Sequence, residues 1–273
     1  MPMAKPSGFA WLQKKAPLLG AFFMGAIWHF PAAAFCPAPV KPQVVAVRQV
    51  LDGDTVRLSD GRSVRMIGIN APEIGRQGRA SEPYAQAARN RLQALIKASD
   101  GRVGLVPGAE AKDRYGRTLA HLYGRNGDNL EAQLLSEGLG YRVTFAPNVH
   151  LADCQRQAEQ AARNARAGLW RQPVVQRAAQ VRRSGFALIS GKILTIERNR
   201  GGVWLQLDDA VVVQVPARLQ RHFPAGFFAN LEGRRVEVRG WVRDRSRQKG
   251  LKPDQPRWVL SLTDPSMLER VQG

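Results

Sequence analysis

The sequence contains few acidic residues. Aspartate and glutamate number 22 against 41 lysines and arginines in 273 residues, which leaves a formal net charge of +19. This excess favours a polyanionic partner, with nucleic acid as the first candidate and an anionic membrane surface as the second; a basic surface that serves only solubility is the alternative. Hydrophobic residues make up 44% and charged residues 23%, a globular mixture that argues against disorder of the whole chain. The length suits two domains.

Cysteine and histidine are also scarce. The chain has two cysteines, Cys36 and Cys154, no Cys-x-x-Cys pair, and four scattered histidines. This pattern argues against a zinc site. In an oxidising compartment the two cysteines could form one disulfide. The sequence does not show whether they lie close together, so the pairing stays open.

The start of the sequence lacks an apolar run long enough for an ordinary membrane-spanning helix. The run at 16–30 holds about 15 residues, whereas a span needs roughly 20. The segment 1–34 carries three lysines before this run and no acidic residue, and it ends on Ala32-x-Ala34. This layout predicts a secretory signal peptide cleaved before Phe35, and hence an exported protein, periplasmic or extracellular, with no stable membrane insertion. An uncleaved N-terminal anchor is the alternative.

Between residues 40 and 172, short β-patterned segments are followed by helical ones. Strands are predicted at 44–50, 55–58, 63–69, 103–106 and 118–123, and helices at 81–100, 129–138 and 149–166. Asp60-Gly61 is a strong hairpin signal between the second and third strands. Ser81 can cap the first helix, with Pro83 in its first turn. Five short strands with three helices predict a small, mainly β, closed barrel.

The residues suited to chemistry concentrate in the stretch 51–73 and in a later turn. The stretch carries Asp54 after a glycine, then Arg65 and Glu73, and the turn carries Arg117. Attack of water on a phosphodiester builds negative charge on the phosphoryl oxygens, so cations must face them and a base must orient the water. Arginines, carboxylates and an amide together indicate phosphate chemistry, although each residue alone is also explained by a turn or a surface strand.

Six motifs resemble those of the staphylococcal nuclease (thermonuclease) family. Each is weak alone, but together they keep the family's order and approximate spacing. They are Val-Leu-Asp-Gly-Asp-Thr at 50–55, the run from Arg65 to Glu73, Glu-Pro-Tyr at 82–84, Asp-Arg-Tyr-Gly-Arg at 113–117, the segment 129–138 and Gly-Leu-Trp at 168–170. The resemblance covers residues 44–170 and implies a five-stranded OB-type barrel with three helices.

The resemblance also implies a metal site with Ca²⁺ as the cofactor. Asp54 would be the metal carboxylate, Asn70 and the backbone carbonyl of Ala71 would fill the other two protein positions, and Asp52 would support them. Hard Ca²⁺ prefers such oxygen ligands. Asn70 stands where the staphylococcal enzyme has an aspartate, so the site loses one negative charge. Weaker Ca²⁺ binding or a changed metal preference is therefore expected.

For catalysis, the resemblance implies that Glu73 is the general base. Arg65 and Arg117 match the two phosphate-binding arginines, a role that suits the planar guanidinium fork. Arg114 and Tyr115, in the same turn as Arg117, are expected to contact the substrate.

The second half of the chain predicts another barrel. The arginine-rich segment 173–184 is interpreted as a linker, and 185–273 as an OB-like β-barrel domain smaller than the first. Its strands are predicted at 192–197, 203–207, 211–215, 235–242 and 257–262. A long connection between the third and fourth strands also matches an OB-type barrel. This half has no Asp-Gly-Asp and no Pro-Glu, so the acidic site is not repeated.

Aromatic residues for stacking nucleobases are not clearly present in the first domain. The family's stacking tyrosines are expected at 141–147, where Phe145 is interpreted as a core residue. In the second domain, Trp204, Trp241 and Trp258 lie among arginines, a combination that could stack bases and neutralise phosphates. Packing against the first domain or against a partner protein is the alternative.

The sequence therefore predicts an exported, metal-dependent nuclease acting on DNA, RNA or both, with the second barrel assisting the grip. One alternative is a non-catalytic nucleic-acid-binding or scaffold protein with a degenerate site. Another is an envelope protein whose basic surface meets anionic lipid. The preference for DNA or RNA, the mode of cleavage and the oligomeric state stay open.

Overall fold

The structure, a computed structural model, describes Met1 and residues 35–248 and 255–271. All of these except Met1 belong to one compact unit. The predicted signal segment therefore falls, apart from Met1, outside the described residues. Within the described part of the chain, no helix is both long enough and apolar enough to cross a bilayer.

The first half of the chain folds into a closed five-stranded barrel with three α-helices. Its elements are β1 (Gln43–Val50), β2 (Thr55–Leu58), β3 (Ser63–Met66), β4 (Ile69–Asn70), α1 (Ala85–Ala98), β5 (Arg102–Lys112), β6 (Thr118–Tyr123), α2 (Leu130–Ser136), β7 (Tyr141–Arg142) and α3 (Ala152–Asn164). The barrel order is β1, β2, β3, β6, β5, and β3 runs parallel to β6. The short strands β4 and β7 pair with each other outside the barrel.

The core of this barrel follows from the side-chain periodicity of its elements. In β2, Val56 and Leu58 are buried while Arg57 between them is exposed, as expected for a strand with one face in the core. Helix α1 buries residues three or four positions apart, which lie on one face: Ala85, Ala88, Leu92 and Ile96. The two patterns meet in one hydrophobic cluster that fills the barrel.

Helix α1 begins later than predicted. It starts at Ala85, so Ser81 and Pro83 lie in the turn before it. Tyr84 has a left-handed backbone with a φ of 66°. The Oγ of Ser81 accepts a hydrogen bond from the backbone amide of Gly75 at 3.0 Å. Ser81 therefore holds the preceding loop instead of capping the helix.

The predicted strand 63–69 is interrupted by a turn at Gly68. This residue has a φ of 88°, a conformation that favours glycine. A Cβ at this position would also lie 1.9 Å from Oε1 of Gln155 on α3. The turn takes Ile69 out of the barrel sheet, and β4 pairs with β7 instead.

The second half forms another closed barrel. Its strands are β8 (Val175–Arg177), β9 (Gly185–Asn199), β10 (Gly202–Leu207), β11 (Val211–Pro216), β12 (Arg235–Asp244), β13 (Trp258–Ser261) and β14 (Leu268–Arg270). The barrel order is β9, β10, β11, β13, β12, with β12 pairing back to β9 and β11 parallel to β13. The third and fifth strands of each barrel thus run parallel, and both follow one topology. This confirms the predicted fold class of two OB-type barrels.

Two short strands extend the second barrel beyond its five predicted strands. The segment predicted as a linker contains β8, which pairs in parallel with β9. At the other end of the described chain, β14 pairs with β12. Strand β9 is also longer than predicted, because its first residues pair with β12 and its last residues with β10.

A cluster of three arginines and three glutamates joins the two barrels. We call it the interdomain ion cluster; its members are Arg142, Glu159 and Arg163 from the first half and Glu237, Arg239 and Glu269 from the second. Nη1 of Arg239 lies 2.6 Å from Oε2 of Glu159, and Nη2 of Arg142 lies 2.9 Å from Oε1 of Glu269. The arginine side chains are 1% and 0% exposed, so carboxylates neutralise them in place of water. The Glu237–Arg239 face of β12 therefore packs against α3 and β7 of the first domain.

The two cysteines form a disulfide between the segment before β1 and helix α3. Cys36 and Cys154 have Cα atoms 5.8 Å apart and are separated by 118 positions in sequence. Beside the bridge, the backbone amide of Phe35 donates to Oδ1 of Asp128 at 2.7 Å, and the Phe35 carbonyl accepts from the amide of Asn129 at 2.9 Å. The segment before β1 is therefore held at the start of α2 as well as at α3.

Candidate active site

Asp54 lies at the start of β2, where the chain turns out of β1. Its backbone amide donates to Oδ1 of Asp52 at 3.1 Å. Gly53 is required at this turn because a Cβ would lie 2.6 Å from the Cβ of Ala88 on α1 and 2.7 Å from the Cβ of Ala71. The missing side chain lets the helix and the Ala71 segment approach, and this brings Asp54 next to Ala71.

The carboxylate of Asp54 is buried, and the surrounding protein contacts both of its oxygens. The backbone amide of Ala71 donates to Oδ2 at 2.8 Å, and the hydroxyl of Thr55 donates to Oδ1 at 2.9 Å. Nη2 of Arg65 lies 2.9 Å from Oδ2. Thr55 and Arg65 are direct partners in the pairing of β2 with β3, so the sheet register sets this ion pair.

Arg65 connects Asp54 to the turn that carries Asn70. Nη1 of Arg65 donates to the carbonyl oxygens of Met66 at 2.7 Å and Ile69 at 2.8 Å. Nη2 also lies 3.4 Å from Oδ1 of Asn70. One guanidinium therefore contacts two of the residues predicted to bind a metal, and two backbone carbonyls fix its orientation.

Glu73 lies on the loop between β4 and α1, and its side chain is exposed. Its backbone is held by Glu82: the amide of Glu73 donates to Oε2 of Glu82 at 2.9 Å, and the amide of Glu82 donates to the carbonyl of Glu73 at 3.0 Å. The sequence motif at 82–84 predicted only the start of a helix and did not indicate that Glu82 holds the backbone of Glu73. Since an acidic residue in a first helical turn is ordinarily explained by the helix dipole, the sequence carried no separate signal for it.

Asp54 and Glu73 both interact electrostatically with Arg65 and with Asp52. Burial raises the pKa of Asp54 to about 7, while Arg65 opposes the shift and Asp52 adds to it. Glu73 is exposed at its surface but partly desolvated by the groups around it, and this raises its pKa, with Asp52 adding to the shift and Arg65 opposing it. The guanidinium of Arg65 therefore does not offset the desolvation of Asp54 and Glu73 and the negative charge of Asp52 beside them.

The oxygen atoms of this site are chemically suited to bind a hard cation. Asp54 and Asn70 offer oxygen atoms, which Ca²⁺ prefers, and the uncompensated negative charge favours an added cation. Among the described residues, no group of three or more histidine, cysteine, aspartate or glutamate side chains could hold a metal ion. A cation at this site would therefore depend on amide and main-chain oxygens as well as on Asp54.

Arg117 lies just before β6, the strand that pairs with the strand carrying Arg65. Arg65 pairs with Leu119 in the parallel ladder of β3 and β6, and Arg117 precedes Leu119 by two positions. Arg117 is therefore the residue just before β6, at the end of the turn that connects β5 to β6. Its Nε lies 2.7 Å from Oδ2 of Asp113, so its charge is already paired within the turn.

Tyr115 and Arg114 form an exposed, basic and aromatic turn beside Arg117. Nη2 of Arg114 donates to the hydroxyl of Tyr115 at 2.7 Å. The guanidinium groups of Arg114 and Arg117 lie 4.8 Å and 5.6 Å from the centre of the Tyr115 ring. Within the described residues, no hydrogen bond or ion pair joins this turn to Asp54 or Glu73.

The site therefore consists of two neighbouring parts. The first is the group in direct contact or in one electrostatic field: Asp52, Asp54, Arg65, Asn70, Ala71 and Glu73. The second is the turn that carries Arg114, Tyr115 and Arg117. The turn leads into β6, which pairs with β3, the strand that carries Arg65.

Comparison with known proteins assigns the first domain. A family model described as "Staphylococcal nuclease homologue" matches residues 63–172. The thermonuclease of Staphylococcus intermedius is 33% identical over 135 residues, which are 48% of this chain and 78% of that protein. The chain belongs to the staphylococcal nuclease family. The thermonuclease of Staphylococcus hyicus is 30% identical over 156 residues, 56% of this chain and 89% of that protein. The SPbeta prophage-derived endonuclease YokF of Bacillus subtilis is 30% identical over 131 residues, 46% of this chain and 43% of that protein.

The family match covers the nuclease domain and stops before the second barrel. It includes the site residues from Arg65 to Arg117, whereas Asp52 and Asp54 precede it. Strands β8 to β14 follow its last residue. This nuclease domain therefore carries a second OB-type barrel, attached through the interdomain ion cluster.

Proposed function

We propose that the protein is an exported, metal-dependent nuclease that hydrolyses phosphodiester bonds of DNA, RNA or both. Relatives named as thermonucleases and as an endonuclease support this reaction. The observation that carries the proposal is the buried pair of Asp54 and Arg65, 2.9 Å apart, with Glu73 in the field of the same guanidinium. The Cys36–Cys154 disulfide supports an oxidising, and hence exported, location.

In the proposed reaction, Glu73 accepts a proton from the attacking water. The water oxygen forms a bond to phosphorus, the bond to the leaving oxygen breaks, and that oxygen takes up a proton from solvent. The raised pKa of Glu73 suits a base that must be ionised yet able to hold a proton. Arg65, fixed by Met66 and Ile69, provides a positive charge that needs no reorientation as charge builds on the phosphoryl oxygens.

Asp54, Asn70 and the carbonyl oxygen of Ala71 are the proposed ligands of a hard cation, with Ca²⁺ as the first candidate. When bound, such a cation supplies positive charge to the phosphoryl oxygens. Asn70 is neutral, which lowers the charge of the ligand set and with it the expected affinity. Arg117 would exchange its contact with Asp113 for one with the phosphate.

A cleavage assay on a labelled strand tests the proposed function. Cleavage is expected with Ca²⁺ and is expected to stop when EGTA is added. Glu73→Gln, which keeps the size of the side chain but removes the base, is expected to slow cleavage by roughly a hundredfold, the lower range for general acid-base catalysis. Glu110→Gln replaces another exposed glutamate of the same barrel and serves as the matched control.

Full activity of Glu73→Gln would contradict the assignment of Glu73 as the base. Activity that EGTA does not affect would contradict the proposed metal requirement. Strand binding without cleavage under every metal condition would favour the non-catalytic alternative. The mature chain, beginning at Phe35, is the form to test, and mass measurement of the secreted protein decides whether cleavage occurs there.

Alanine substitution of each phosphate-binding arginine is expected to lower the cleavage rate more than roughly tenfold, because each removes a charge contact made in the transition state. Arg117→Ala is the cleaner variant, since Arg117 is paired at the surface, whereas Arg65→Ala also leaves the buried Asp54 without its cation. Arg62→Ala is the control, because Arg62 forms an exposed pair with Asp60 on the neighbouring hairpin. Rates equal to that of Arg62→Ala in both variants would contradict the assigned roles; thermal melting checks folding.

A further inference from the structure

Two aromatic side chains from different barrels form an exposed pair at the domain junction. Phe145 follows β7 in the nuclease domain, and Trp241 lies in β12 of the second barrel. Their ring centres are 5.6 Å apart with planes inclined by 35°. Phe145 is 43% exposed and Trp241 is 38% exposed, so Phe145 is not the core residue that its sequence predicted. We call Phe145 and Trp241 the aromatic ledge.

The ledge is connected to the candidate active site by further aromatic rings. Trp241 contacts Phe186, with ring centres 5.0 Å apart, and Phe186 contacts Tyr141 at 5.4 Å. Tyr141 is the strand partner of Asn70 in the pairing of β7 with β4. A chain of ring contacts therefore leads from the ledge to the strand partner of Asn70, a proposed metal ligand.

Trp241 is exposed because the first domain covers only part of this face of β12. Glu237, Arg239 and Trp241 alternate onto one face of β12, and the first two are buried in the interdomain ion cluster. Trp241 is the next residue on this face, and it is only partly covered. Trp241 therefore packs against Phe145 of the nuclease domain and still keeps 38% of its surface exposed.

A free positive charge stands next to the ledge. Arg243 follows Trp241 by two positions, so it lies on the same face of β12. Its guanidinium contacts Oγ of Ser261 at 3.4 Å and forms no ion pair with any described carboxylate. Exposed aromatic rings beside an unpaired arginine are the combination that binds single strands, with the rings stacking on bases and the arginine facing phosphate.

We propose that the aromatic ledge stacks unpaired nucleobases of a single-stranded nucleic acid held at the nuclease site. The inference rests on the proposed function for the identity of the strand, but it assigns the base contacts to both barrels. It also gives the second barrel a part in substrate binding. The stacking is independent of base identity, since every base presents a π-face.

The test measures binding without cleavage. The full mature chain is titrated, in EGTA and at fixed salt, into fluorescently labelled oligothymidylate and oligouridylate of about ten nucleotides, a length within the usual site size. A third probe is an abasic DNA strand of the same length, which keeps the phosphates but has no bases. Trp241→Leu and Phe145→Leu keep apolar bulk and remove the stacking ring.

Each leucine variant is expected to raise the Kd for both base-carrying strands roughly tenfold and to leave the Kd for the abasic strand unchanged. Trp241→Phe is expected to retain binding close to that of the parent protein. Phe228→Leu is the matched control, because Phe228 is a half-buried ring of the second barrel with Arg198 at 5.7 Å but lies outside the ledge.

Unchanged affinity for base-carrying strands in both leucine variants, or an equal loss for the abasic strand, would overturn the proposal. Thermal melting of every variant shows whether it folds, and Phe145→Leu gives an independent reading if Trp241→Leu does not. Because no hydrolysis is measured, a protein that binds strands but never cleaves them still gives a clear answer about the ledge.

Discussion

Replacing Arg239 by methionine is expected to lower the free energy of unfolding by about 3–5 kcal/mol, the usual cost of removing one partner from a buried charge cluster. Arg239 is 1% exposed, and its guanidinium contacts Glu159 at 2.6 Å and Glu237 at 3.1 Å. Methionine fills similar space but carries no charge. The two glutamates then stay buried with less positive charge around them. Denaturant unfolding followed by tryptophan fluorescence measures the change.

The matched control for this variant is Arg125→Met. Arg125 forms an ion pair with Asp100 at 3.2 Å, and both side chains are largely exposed. Exposed pairs contribute at most about 1 kcal/mol, so this variant is expected to unfold close to the parent protein. If Arg239→Met costs no more than Arg125→Met, water reaches the interdomain ion cluster and the barrels are less firmly joined than the contacts indicate.

The cluster also bears on the candidate active site. The backbone amide of Arg142 donates to Oε1 of Glu159 at 2.8 Å, while its guanidinium donates to the Ser266 carbonyl at 2.9 Å. Arg142 belongs to β7, and β7 pairs with the strand that carries Asn70. The second barrel therefore holds the far side of the strand pair on which a proposed metal ligand lies. An added domain can in this way support the site without entering it.

The barrel strands could be predicted from the sequence because their signals are local. Asp60-Gly61 marks a hairpin, and alternation of buried and exposed residues marks the strands on either side, as in β2. The motif residues were likewise found from order and spacing. Gly68 shows the limit of such signals: its turn packs against Gln155, which is distant in sequence and donates a hydrogen bond to the carbonyl of Ile67.

The interdomain ion cluster could not be predicted, for a different physical reason. Glu159 and Arg239 are charged residues, and charged residues taken alone are expected at the surface. Only the docking of α3 on β12 makes them partners, and no periodicity within either element signals that docking. Glu237, Arg239 and Trp241 alternate in the sequence, but this pattern fits a nucleic-acid surface and a domain interface equally well. The structure divides this face between burial at Arg239 and exposure at Trp241.

Loss of the Cys36–Cys154 disulfide is expected to lower the free energy of unfolding by an amount similar to that expected for Arg239→Met. Cys36 and Cys154 are separated by 118 positions, and closing so long a loop restricts the unfolded chain by about 4–5 kcal/mol in the loop-entropy model. The double variant Cys36→Ala/Cys154→Ala should therefore unfold at a lower denaturant concentration than the oxidised parent. The parent treated with a thiol reductant should shift in the same direction.

The reductant also provides the control, because it should leave the double variant unchanged. Equal midpoints for the oxidised and reduced parent would mean that the hydrogen bonds of Phe35 already fix the segment before β1 in both states. The expected shift instead follows from where the bridge ends: Cys154 lies on α3, the helix that also carries Glu159 of the interdomain ion cluster. Reduction would then loosen one end of the helix on which the second barrel is docked. The loss of stability on reduction should be largest in Arg239→Met, because the contact of α3 with β12 is already weakened there.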